Sequence, residues 1–219
     1  MEIDHIFIRS QSAAPEAKLL KSFGLIEASA NTHLGQGTAN RRFFFKNLFL
    51  ELLFLENIED AQSETTKPTQ LFERLSHHDA EVSPFGFCFR PQNATQTASP
   101  FLSWHYHPAY LPPHLHVDIA QQLSLAEPMW FYLSFATRPD QAAPEKQQPF
   151  QHRHGISEVT KIKLHIPKLS ESLTVNEVQH IENFELIESE KHLLEMTFDH
   201  GIQGLTHDFR PDLPLIFHY

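Results

Sequence analysis

The 219-residue sequence predicts an α+β fold of two βαβββ modules. Three observations carry that expectation: a strand–helix–strand–strand–strand order over the first 58 residues, the same order again over 157–219, and a proline-punctuated stretch between them. In the first module, residues 3–8 are a β-rich run in which Ile3, His5 and Phe7 share one face. A helix follows, with Pro15 suited to its first turn, Leu19, Leu20 and Phe23 as an apolar stripe, and Gly24 as its stop. Strands are expected at 25–28, 42–46 and 48–55, with the glycine-bearing stretch 31–40 between the first two. Residues 57–83 are polar, with one helix expected over 68–78. Ten of the 15 prolines fall between 84 and 149, a poor setting for helix, and strands fit 85–90, 115–119 and 130–135. The last third alternates cleanly: strands at 159–166, 184–188, 193–198 and 213–219, and a helix near 172–181. The expected division is a first module over 1–58, a helix plus proline-rich insert with extra strands over 59–156, and a degenerate second module over 157–219, all in one compact domain.

Composition narrows the function classes. Nineteen Phe suit half-buried pleated surfaces. Lys plus Arg is 17 against 27 Asp plus Glu, a formal charge of −10 that repels a phosphate backbone, so no nucleic-acid partner is expected. Cys88 is alone, which excludes an internal disulfide and a zinc site of several thiolates. The start lacks the basic and apolar segments of a signal peptide, and no apolar run reaches the roughly 20 residues of a membrane span. A cytoplasmic protein with no membrane partner is the expectation.

Asp4-His5-Ile6-Phe7-Ile8 in the first strand, His33-Leu34-Gly35-Gln36-Gly37-Thr38-Ala39-Asn40 after the helix and Leu50-Glu51-Leu52 in the fourth strand together resemble the vicinal oxygen chelate superfamily, in its glyoxalase-like branch. The middle stretch is similar to the His-x-Gly-x-Gly-Thr-x-Asn of glyoxalase-like domains. Beyond residue 55 the likeness is a strand pattern, plus His154-Gly155 before a strand. The resemblance implies the glyoxalase/bleomycin-resistance-like fold, in which curved mixed sheets enclose a cleft. Many relatives bind a divalent metal there through His and Glu, while others have lost it and simply bind a small molecule.

Glu51 stands alone within an apolar strand, and a buried carboxylate needs compensation by a metal ion or a hydrogen-bonded partner. His5 is its companion in the resembled fold, and imidazole with carboxylate suits Zn, Ni, Mn or Fe. The second module offers Lys161 and Pro214 where further ligands are expected, so the candidate third ligand comes from the insert, His116. The pairs His105-x-His107 and His114-x-His116 can each present two imidazoles on one strand face, or stand as surface histidines beside prolines. Candidate ligand-binding residues are His33, Asn40 and Arg42 on the glycine-bearing loop, with Trp104 and Tyr106 as aromatic walls. Arg90 is a candidate anion contact, whereas a local ion pair with Asp208 accounts for Arg210. His77-His78 and His152-Arg153-His154 read as loop residues.

Two functions follow. One is metal-assisted lyase, isomerase or dioxygenase chemistry on a small oxygenated substrate, with one divalent ion and a base the sequence does not name. The other is a metal-free module that binds or sequesters a small molecule. Either fits a monomer or a homodimer.

Overall fold

Strand β1 (Glu2–Arg9) forms the seam of an eight-stranded half-barrel, pairing in parallel with β4 (Phe49–Leu55) and antiparallel with β5 (Phe85–Arg90) in a computed structural model that describes all residues except 78, 94, 97, 122, 123 and 171. On one side of the seam, β4 is followed outward by β3 (Thr38–Phe44) and β2 (Asn31–His33). On the other side, β5 is followed by β8 (Met129–Tyr132), β7 (Val117–Ala120) and β6 (Ser103–Tyr106). The order β2-β3-β4-β1 is thus mirrored by β6-β7-β8-β5. The repeat lies in the proline-rich insert, and among the described residues it has no helix between its first two strands, where the first module carries one.

This corrects the expectation that 157–219 is the second module. That segment builds a separate curved sheet of β9 (Val159–Ile166), β10 (Phe184–Glu188), β11 (Leu193–Phe198), β12 (Thr206–Asp208) and β13 (Leu215–His218), in the order β10-β9-β11-β13-β12. Its first strand pairs with its second and third, not with its last, so the strand order differs from that of residues 1–55.

Local chemistry explains the elements. Helix α1 (Ala17–Phe23) buries Ala17, Leu20 and Phe23, and Gly24 ends it at φ 114, donating its N–H to the carbonyls of Leu20 and Lys21. The expected strand at 25–28 is a connecting segment instead. His152 Nδ1 accepts the Ile26 N–H at 3.0 Å, and β2 begins at Asn31. Strand β3 starts at Thr38, earlier than expected, because the turn of Gly35 and Gly37 lies wholly between β2 and β3. The helix expected over 68–78 is shorter, α3 (Leu71–Ser76), after the single turn α2 (Ile58–Ala61) and a 3₁₀ turn at Lys67–Thr69; His78 lies outside the described residues. Helix α4 (Leu173–Val178) opens on Ser172, whose hydroxyl accepts the Val175 N–H. No helix among the described residues is long and apolar enough to cross a membrane.

Two cores result. The outer face of the half-barrel (Ile6, Ile8, Phe87, Phe89, Trp130) packs against the inner face of the second sheet (Ile162, Leu164, Leu194, Met196, Phe217). The concave face holds a smaller cluster around Phe7, Leu53, Cys88, Ile119 and Phe131, covered by Leu71 and Leu75 of α3. A register shift between Ile3 and His5 separates residues that alternation alone puts on one face: Ile3 joins the first core, while Phe7 joins the second and His5 faces the concave side with it.

His152, expected in a loop, lies in one but is buried and structural. Its Nε2–H donates to the Phe44 carbonyl at 2.7 Å while Nδ1 accepts from Ile26, so its tautomer is fixed by two backbone partners. Burial holds His152 and His33 below the ordinary imidazole range, and burial plus the nearby Arg9 takes His192 to about 4. The unfolded chain takes up these protons near pH 6.5, before the folded chain does. Stability is therefore full above about pH 6.5 and falls as pH drops toward about 4. Urea midpoints at pH 7, 6, 5 and 4.5 should decline steadily, and a flat series would contradict the assignment.

Candidate functional site

The concave face encloses a cavity of about 170 Å³ with one polar end and apolar walls. Phe49, Glu51 and Leu53 reach it from β4, as alternation requires, and His5 and Phe7 reach it from β1. Glu51 is 4% exposed. Its Oε1 accepts the Asn40 Nδ2–H at 2.8 Å, and the Asn40 Oδ1 accepts the Asn31 N–H at 2.8 Å, which orients the amide. The β3–β4 register places Asn40 opposite Leu53, two residues along β4 from Glu51.

On the other side of Glu51, His5 is held in one orientation. Its Nδ1–H donates to Asp4 at 2.7 Å, since a carboxylate only accepts. Asp4 is paired in turn with the buried Arg90 at 3.3 Å. The imidazole lies flat on Phe49, centroids 4.4 Å apart, with Phe131 edge-on at 5.4 Å. Nε2 of His5 and Oε2 of Glu51 then face each other across 3.6 Å, too far for a mutual hydrogen bond. Arg90, a candidate anion contact, spends its donors on Glu2, Asp4 and the Asn47 carbonyl.

His33, Asn40 and Arg42 all border the cavity, as does Tyr106. His33 Nδ1 bonds the Thr38 hydroxyl at 2.8 Å, and its ring packs against Tyr110 at 4.9 Å. Arg42 donates to Ser29 and lies over Phe44 and Phe49, at 5.3 and 5.9 Å. Trp104 packs against the concave cluster without lining the cavity. Gly37 is required where it stands: φ is +78, and a Cβ there would meet the Asn57 carbonyl oxygen at 2.2 Å. Residues not singled out from the sequence complete the walls, chiefly Met129, Phe131, Leu133 and Phe135. No alternation marks them in the sequence, because 129–133 is apolar at every position.

A divalent metal does not fit this donor set. Glu51 belongs to no group of three His, Cys, Asp or Glu ligand atoms within 4.8 Å of one another among the described residues. The half of the barrel facing His5 and Glu51 supplies Met129, Phe131 and Cys88. Asp4, His5 and Cys88 do cluster, but Arg90 occupies Asp4, and burial with the charges of Asp4 and Glu51 keeps the Cys88 thiol protonated. His116 is corrected as third ligand: Val117 and Ile119 of β7 face the concave cluster, so His116 and Asp118 point to the opposite side, where they meet at 3.5 Å. Lys161 and Pro214 do not line the cavity either, because the 157–219 sheet packs behind it.

No protein-family model matches the chain, and no curated protein does. Among solved structures it is similar to a hypothetical protein from Staphylococcus aureus, 11% identical over 99% of this chain and 98% of that one, with a TM-score of 0.55. That likeness concerns the fold alone.

Proposed function

We propose that the chain is a glyoxalase-like protein of the metal-free kind, whose half-barrel binds a compact, largely apolar molecule through one hydroxyl. The mirrored strand order supports the resemblance noted in the first 55 residues. The observation that carries the binding reading is the 3.6 Å gap between His5 Nε2 and Glu51 Oε2 at the end of an apolar cavity. A hydroxyl placed there donates its single proton to the Glu51 carboxylate, while Phe7, Phe131 and Met129 enclose its carbon frame. Glu51, already compensated by Asn40, needs no ion for its burial.

Phenol is a suitable probe, with toluene as the isostere that lacks the donor. Calorimetry on tag-free protein in chelator should show phenol bound more tightly than toluene. Glu51→Leu should weaken phenol by about 10- to 100-fold, the worth of a hydrogen bond to a charged group, with little effect on toluene. Phenol binding that depends on added metal, or that survives Glu51→Leu unchanged, would overturn the reading.

A further inference from the structure

We infer that the outer face of β6 and β7 carries a divalent-cation site formed by His105, His107, His116 and Asp118, separate from the cavity. The antiparallel register places His105 opposite Asp118 and Tyr106 opposite Val117, which carries His107 to the position opposite His116. Side chains two apart on a strand share a face, so these four occupy the corners of one cross-strand square. Ligand nitrogens of the three histidines lie within 4.8 Å of one another. His105 Nε2 and His116 Nε2 converge on the same oxygen, Asp118 Oδ1, at 3.3 and 3.5 Å. The rings of His105 and His116 stack at 4.0 Å, and that of His107 stands 5.5 Å from His116.

Asp118 is buried at the floor of the square while His105 and His107 are exposed, so the carboxylate is fixed and the imidazoles are free to close over an ion. Three imidazoles and one carboxylate match the preferences of zinc and its borderline neighbours, and too few hard oxygens are present for calcium or magnesium. Zinc–nitrogen bonds near 2.0–2.1 Å require the nitrogens to draw in by about 1 Å, within the rotamer freedom of exposed histidines.

The site also has a structural consequence. Among the described residues β6 is the edge strand of the half-barrel, paired there with β7 alone. Tyr106, on the other face of β6, lines the cavity. An ion joining His105 and His107 to His116 and Asp118 clamps that edge strand from behind and steadies the cavity wall.

Zinc titration by calorimetry, with tag-free protein stripped of metal, tests the inference. One ion per chain is expected at micromolar affinity or better, with cobalt giving the intense visible bands of a four-coordinate site. His107→Ala and His116→Ala should each weaken zinc at least tenfold, and His5→Gln should leave it unchanged. Both histidine variants alter partly or fully exposed side chains, so circular dichroism should show an intact fold. Absence of zinc binding, retention of it in His107→Ala with His116→Ala, or loss of it in His5→Gln would each overturn the site. None of these outcomes bears on phenol binding in chelator, which tests the cavity separately.

Discussion

Arg90→Ala should lower the stability of the protein by about 3–5 kcal/mol, the usual cost of leaving one partner of a buried ion pair behind. The Arg90 side chain is 2% exposed, and it bonds Glu2 at 2.9 Å, Asp4 at 3.3 Å and the Asn47 carbonyl at 2.7 Å. Asp4 is nearly as enclosed, and without the guanidinium its one remaining partner among the described residues is His5. The loss therefore reaches the cavity: an unbalanced Asp4 no longer holds the His5 ring square to Glu51, and phenol should bind more weakly too. Urea denaturation at pH 7 should show a lower midpoint at unchanged slope. Arg90→Lys should recover part of the stability, since a point charge replaces the attraction but not the forked contacts to three oxygens. A loss below about 1 kcal/mol for Arg90→Ala would show that Asp4 is balanced by other means.

Arg90 also shows where the sequence is readable and where it is not. Glu51 is legible as a buried carboxylate because every neighbour in 48–55 is apolar, and strand parity alone puts it with Phe49 and Leu53. The turn of 33–40 is legible from its glycines, one of which sits against the Asn57 backbone. Parity fails at the first strand, since a bulge between Ile3 and His5 leaves no trace in composition. Arg90 reads as an anion contact because its partners, Glu2, Asp4 and Asn47, come from β1 and the β3–β4 turn.

The place of the second module is obscured for a similar reason. Strands β5 and β8 are buried on both faces, so 85–90 and 129–132 show no polar–apolar alternation. The 157–219 sheet leaves one face to solvent, where Lys161, Lys163 and His165 alternate with Ile162, Leu164 and Ile166. The stronger periodic signal therefore marks the half-exposed sheet and not the repeated module. Strand order is a matter of long-range register, and alternation carries no information about which strand lies beside which.

Trp130→Ala should remove about 3–5 kcal/mol, a large share of the 5–15 kcal/mol that holds an ordinary domain together. Trp130 is fully buried on the outward face of β8, where its ring packs between Phe87 at 5.4 Å and Phe89 at 6.1 Å and meets Phe184 of the second sheet at 6.5 Å. Phe87 reaches the same Phe184 at 5.3 Å, so the indole is part of an aromatic joint between the half-barrel and the sheet behind it. Truncation leaves a void that two stiff sheets cannot close, because each is pinned by its own strand ladder. It also strands Glu127, whose carboxylate accepts the indole N–H at 3.4 Å. For a chain of this length the expected fall in melting temperature is roughly 10 °C. The form of the transition matters as much as its midpoint. Because the two sheets share one core, far-UV circular dichroism should report a single transition displaced as a whole. Two resolved transitions, with the 157–219 sheet melting at its original temperature, would mean that the sheets are separate folding units and that Trp130 stabilises only the half-barrel.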